Sequence, residues 1–156
     1  MDTDTRLKLL DLLRTQTTAA LATLHKGEPA ISMVPVALDE AGLLVHVSDL
    51  ATHTRDMREH ARVSLLLMGA PGEMPQARPR VSIAGDAAFI DQDTPDYETA
   101  RAVYLARFPL SEMTFALADF SLVRIAPQSA RYVAGFAQAH ALTGPALAAL
   151  LREAAA

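Results

Sequence analysis

Residues 18–48, TAALATLHKGEPAISMVPVALDEAGLLVHVS, divide their apolar content into three short runs, cut by Lys26-Gly27 and by Asp39-Glu40-Ala41-Gly42. Short apolar runs bounded by turn residues are strands joined by tight turns, because a helix needs about ten or more uninterrupted residues. The pattern predicts a three-stranded meander with strands near 18–25, 30–38 and 43–48. A meander commits the chain to an antiparallel sheet, and the rest must extend or cover it. RVSLLLMG, from Arg62, is a continuous apolar run, the pattern of a strand covered on both faces. APGEMPQARP, residues 70–79, holds three prolines and reads as a loop. RVSIAGDAAFI supplies another strand, with Gly85 suited to a bulge or a barrel corner. DFSLVRIAP and SARYVAGFAQA read as the last two. Six or seven short antiparallel strands point to a small barrel, since closure removes exposed edges.

Helices fill the remainder. Leu7, Leu10 and Leu13, with Leu9 and Leu12 widening the stripe, follow the acidic cap Asp2-Thr3-Asp4 and predict an amphipathic helix over 3–15. A second helix covers 51–60. A third begins with Pro95 inside a Thr94 cap, carries Ala100, Val103 and Tyr104 on one face, and ends before Pro109. The last, over 143–154, is opened by Thr143 and Pro145. The reading is one domain, residues 1–156, mainly β (α+β), with the barrel over about 17–138. An apolar fraction of 51% against 21% charged points to surface shared with a partner. A net charge of −4 with no basic block argues against nucleic acid. No cysteine is present, so disulfides and thiolate metal sites are excluded. Met1 to Arg14 lacks the apolar core of a signal peptide and no run is long enough to span a membrane, so a cytoplasmic location is expected.

One stretch carries chemistry. In SDLATHTRDMREHARVSLLL, residues 48–67, a strand end leads through Ser48 and Asp49 into a helix capped by Asp49 or Thr52, with His53, Thr54 and Arg55 in its first turn. Basic side chains at the positive end of a helix are unfavourable unless an anion sits beside them. Backbone N–H groups, a hydroxyl, an imidazole and a guanidinium together suit a phosphate. The alternative is a surface helix whose cations are solvated and offset by Asp49 and Asp56. The five histidines show no metal-ligand spacing, and no metal is expected. Ser32, Ser48 and Ser64 lack a nucleophile-elbow motif, and no GxGxxG or P-loop run occurs. Arg80, at the head of a strand, could donate to a cofactor ring or be a rim charge. Gly135-Phe136 could admit a flat ring, or form a bulge with Phe136 in the core.

Together, AISMVPVALDEAGLLVHVSDLATHTRDMREHARVSLLL, RVSIAGDA, YLARFP with DF, and YVAGFAQA resemble the pyridoxamine-phosphate-oxidase-like FMN-binding split barrels, over about residues 10–142. The haem-utilisation flavoproteins are the most similar subgroup: their Ser-x-Val-Pro, Ser-x-x-Ala-x-His-Thr-x-Asn and Gly-Gly-Phe-Gly resemble Ser32-Met33-Val34-Pro35, Ser48 to Asp56, and Ala134 to Ala137. The resemblance implies a homodimer with FMN at the subunit interface. It implies the FMN phosphate near Ser48, His53, Thr54 and Arg55, the strand Ser32–Pro35 along the flavin, and Arg80, Gly135 and Phe136 by the ring. With no Trp and no Arg-Leu-His-Asp-Arg run, pyridoxamine phosphate is not the expected substrate. The implied function is an FMN-dependent oxidoreductase of unread substrate; the alternative is a non-catalytic flavin- or haem-binding module. The further C-terminal domain of longer members has no counterpart in this sequence, which weakens the implication of haem breakdown.

Overall fold

A computed structural model describes residues 1–156. The elements run α1 (Thr3–Thr15), β1 (Thr18–His25), β2 (Glu28–Pro35), β3 (Ala37–Asp39), β4 (Gly42–Ser48), α2 (Thr52–Glu59), β5 (Arg62–Met68), β6 (Arg80–Phe89), α3 (Pro95–Arg107), α4 (Glu112–Phe115), β7 (Phe120–Gly135), β8 (Gln138–Thr143) and α5 (Gly144–Ala155). One antiparallel sheet orders its strands β2-β1-β5-β6-β7-β4-β3, with β8 added to β7. The edge strands β2 and β3 are consecutive and joined through Val36 alone, so the sheet returns on itself as a barrel split at that junction. No helix is long and apolar enough to cross a membrane.

Local chemistry explains most boundaries. Lys26 and Gly27 both take positive φ, +52° and +81°, the mirror-image turn that a two-residue hairpin requires. Asp2, Thr94 and Thr143 each cap a helix, accepting from the N–H of Thr5, Tyr97 and Ala146. The β6–β7 register shifts at Ala84/Gly85, and Gly85 faces Pro127, which has no N–H to give to the ladder. A Cβ on Gly85 would lie 2.5 Å from the Ala126 carbonyl oxygen, so the bulge closes tightly only around glycine.

Eight strands stand where six or seven were expected, for two local reasons. The run over 30–38 divides at Val36, whose N–H makes the last bond of the β1–β2 register, to Thr17 O at 2.9 Å, before the chain pairs with β4 from Ala37 onward. The two closing strands are one, β7, continuous through Pro127, and its partner β8 lies beyond a turn at Phe136-Ala137. The barrel therefore extends to Thr143 rather than to about 138.

Leu9, Leu10 and Leu13 of α1 and Leu147, Leu150 and Leu151 of α5 pack against inward residues of the barrel, including Leu21, Leu65, Val81, Ile83 and Ile125. Leu7 was expected in this stripe but is 54% exposed. A smaller cluster joins Ala37, Leu44 and Leu122 to Tyr97, Ala100 and Tyr104 of α3. The strand covered on both faces is thus β4. On β5, expected to be so covered, Leu66 and Met68 of the outer face are only half-buried.

Candidate functional site

The α2 helix starts without a side-chain cap: Ala51 holds the N-cap position. The two expected caps are elsewhere. Asp49 accepts from Ser121 Oγ at 2.8 Å and from Arg58 Nη2 at 3.2 Å, and Thr52 is the first helical residue. The amide groups of this first turn therefore have no side-chain oxygen set against them, which distinguishes α2 from α1, α3 and α5.

Residues 53–55 diverge, because successive helical residues are turned by ~100° about the axis. His53 is half-buried and its Nδ1 lies 3.2 Å from Ser32 Oγ on β2. Thr54 is fully buried, and its hydroxyl donates to Ser48 O at 2.6 Å, which locks the strand end to the helix and commits that proton. Ser48 Oγ accepts from the Leu50 N–H at 3.2 Å and keeps its own proton free to donate. Arg55 is exposed, unpaired, and faces a polar cavity of about 320 Å³ with His25, Lys26, Thr52 and Glu59. Burial pushes the His53 imidazole below its ordinary value, with Asp56 opposing, so at neutral pH it meets an anion as a hydrogen-bonding group rather than a cation. One chain thus brings Ser32, Ser48, His53 and the α2 amides together, with Arg55 on the flank.

Other expected site residues lie elsewhere. On β2, Val34 is buried, Pro35 is exposed, and Met33 points outward, 66% exposed. Arg80 pairs with Met68 and Val133, and its guanidinium donates to the Gln76 and Arg78 carbonyls at 3.2 and 2.9 Å. Met68 lies beyond Leu66, which faces Ala20 near the start of β1, whereas α2 sits over Thr23 and His25 at its end. Several residues of strand, on the order of 20 Å, separate Arg80 from His53 within one chain. Gly135 pairs with Gln138 beside Arg80, and Phe136 is at the turn, 65% exposed and not in the core. Ala137 stands at φ +59°, the left-handed region that favours glycine.

One feature escaped the sequence. Asp56 is buried under α2, where Thr23 Oγ1 donates to one carboxylate oxygen at 2.9 Å and His25 Nδ1 lies 2.7 Å from the other. Burial pushes the carboxyl up, but the hydrogen bonds from His25 and Thr23 outweigh this and hold it below the usual carboxylate value. The available signal was on β1: Leu21, Thr23 and His25 alternate onto one face, so two polar groups point inward and require a partner.

A family model described as pyridoxamine 5'-phosphate oxidase matches residues 7–134. The chain belongs to that family. Within it, the chain is 35% identical over 116 residues to "Non-canonical heme oxygenase HOZ, chloroplastic" of Arabidopsis thaliana, covering 74% of this chain and 35% of that one. It is 29% identical over 131 residues to "Heme oxygenase HutZ" of Vibrio cholerae, covering 81% of this chain and 74% of the relative. A heme binding protein from Mycobacterium smegmatis superposes with a TM-score of 0.86 at 26% identity, over 96% of this chain and 62% of that one. The chain thus spans about a third of the plant relative's length and under two thirds of the mycobacterial chain. A putative pyridoxamine 5'-phosphate oxidase from Listeria innocua, with a TM-score of 0.65 at 16% identity, shares the fold.

Proposed function

We propose that this member of the pyridoxamine 5'-phosphate oxidase family is a haem-utilisation protein that binds haem, with an anionic group of its ligand held at the start of α2. The reading is carried by the likeness, over most of the chain, to two proteins named heme oxygenases. The uncapped α2 amides, Ser48 Oγ–H and His53 fit an acid group there, and Arg55 adds charge at the rim. Bound haem would supply the redox chemistry, while the chain supplies position and electrostatics. His25 is the histidine oriented by a buried carboxylate, an arrangement common in metal-binding imidazoles. Its cavity has no apolar wall to cover a porphyrin, so no iron ligand is assigned.

A second reading, an FMN-dependent oxidoreductase, is favoured by the same uncapped helix, because its donors suit a phosphate as well as a propionate. The two are separated by titrating purified protein with hemin, followed by the Soret band, and with FMN, followed by flavin fluorescence. A saturable Soret shift, weakened by His53→Ala and Arg55→Ala, is expected for the first. Tight FMN binding with no hemin response would replace it by the second. Loss of the Soret band on adding ascorbate in air would mark turnover, and a stable band a binding module.

The proposed assembly is a homodimer joined through the outer face of β1, β2 and β5. Ile31 is 77% exposed and Met33 66%, and across the ladder lie the small Ala20 and Ala22, then Leu66. Pro29 and Pro35 interrupt the free edge of β2, which disfavours edge-on strand addition and leaves the face for packing.

A further inference from the structure

A second concavity lies on the other side of the barrel, a groove of about 520 Å³ between α1 and the ends of β5 and β7. Leu7, Leu12, Pro79 and Ala134 supply its apolar lining, and Lys8 and Tyr132 its donors. Its wall is fixed: the Gly69 N–H donates to Pro79 O at 2.8 Å, and Arg78 Nε donates to Gly69 O at 2.7 Å. Two features have no explanation in the packing of the chain itself. Tyr132 is wholly buried, yet its hydroxyl has no hydrogen-bond partner, a costly state for a phenol. Leu7 stands exposed on the rim, although Leu9, Leu10, Leu12 and Leu13 of the same helix are buried. Burial pushes the Tyr132 phenol above its ordinary value, so at neutral pH it is protonated and can donate.

We propose that this groove is a binding site for a small amphipathic carboxylic acid, whose apolar body covers Leu7, Leu12 and Pro79 and whose carboxylate accepts from Tyr132. Lys8 also lines the rim, paired with Asp4 at 2.7 Å. Asp11 on the same rim disfavours a dianion, which separates the site from one for phosphate. The volume falls in the range of small-molecule sites, roughly 300–1,000 Å³. The assignment does not depend on the α2 site or on the cofactor bound there.

The chain has no Trp and three Tyr, so absorbance on the long-wavelength side of the phenyl bands reports on tyrosine alone. The test titrates purified protein with phenylacetate, 4-phenylbutyrate and isovalerate at up to millimolar concentration, by tyrosine difference absorbance and by calorimetry. At least one acid is expected to give a saturable red shift of the tyrosine band. In Tyr132→Phe, which keeps the ring volume, that shift disappears and affinity falls about tenfold or more, the loss expected for a hydrogen bond to a charged group. Leu7→Glu, an exposed change that leaves the fold intact, weakens binding, while saturating FMN or hemin leaves it unchanged. Absence of saturable binding for all three acids, equal affinity in Tyr132→Phe, or competition by FMN or hemin each overturns the proposal.

Discussion

Asp56 shows how one side chain can join two elements. Its carboxylate is satisfied by β1 while its backbone belongs to α2, so removing it leaves the buried Thr23 hydroxyl unpaired and releases His25. Asp56→Ala is expected to cost roughly 2–3 kcal/mol, read by urea denaturation, with much of that recovered in Asp56→Asn, which still accepts from Thr23. An Asp56→Ala protein as stable as wild type would mean that the helix does not depend on this contact. At this scale the sequence was only partly legible. Lys26-Gly27 could be read because the backbone conformation it permits is local, and Gly85 because a glycine inside a strand pattern marks a bulge or a close backbone approach. His53, Thr54 and Arg55 looked like one constellation because adjacency in sequence hides their angular separation. The Asp56–His25 contact spans 31 residues, and no local pattern announces it.

Among the elements, β4 and α3 enclose a titratable group. His46 on β4 stacks on Phe115 with ring centroids 3.8 Å apart, lies near Phe120 and Tyr104, and shares a hydrogen bond with Thr114 Oγ1 at 3.2 Å. Burial in this cluster pushes its imidazole down to about 4. The unfolded chain therefore binds a proton below about pH 6.5 that the folded chain refuses until about pH 4. Stability is full above that window and falls as pH drops through it, by about 3 kcal/mol at most. His46→Phe keeps the stack and should flatten most of the decline in thermal melts between pH 7 and pH 5; the smaller His53 contribution, of the same sign, remains. A wild-type profile that is level over this range would place His46 in contact with water. The hairpins β1–β2 and β3–β4 and the helices other than α4 were readable from turns, caps and periodicity, α2 in spite of its missing side-chain cap. The split at Val36 and the fusion into β7 were not, because both depend on which neighbour a strand finds across the barrel.

For the whole molecule, the outer face of the sheet carries the proposed assembly. Ile31 and Met33 contribute nothing to the core of one chain, so Ile31→Glu and Met33→Glu should leave an isolated subunit as stable as before. In a dimer packed on this face they should convert a species of twice 16.7 kDa to one of 16.7 kDa in sedimentation. Wild type that sediments as a monomer would remove the proposed interface. Within each chain, β7 is the strand on which the most ladders converge: over 16 residues it pairs with β6, β4 and β8. β4 and β6 are distant in sequence, as Val45 opposite Val123 shows, so these two ladders form only after long loops have closed. No small opening frees the middle of such a strand, because releasing it from one neighbour leaves it held by another. The amide protons of Leu122 to Ile125 should therefore be among the last to exchange with deuterated solvent, at the rate set by unfolding of the entire barrel, while those of β2 and the β7–β8 turn exchange through local fluctuation.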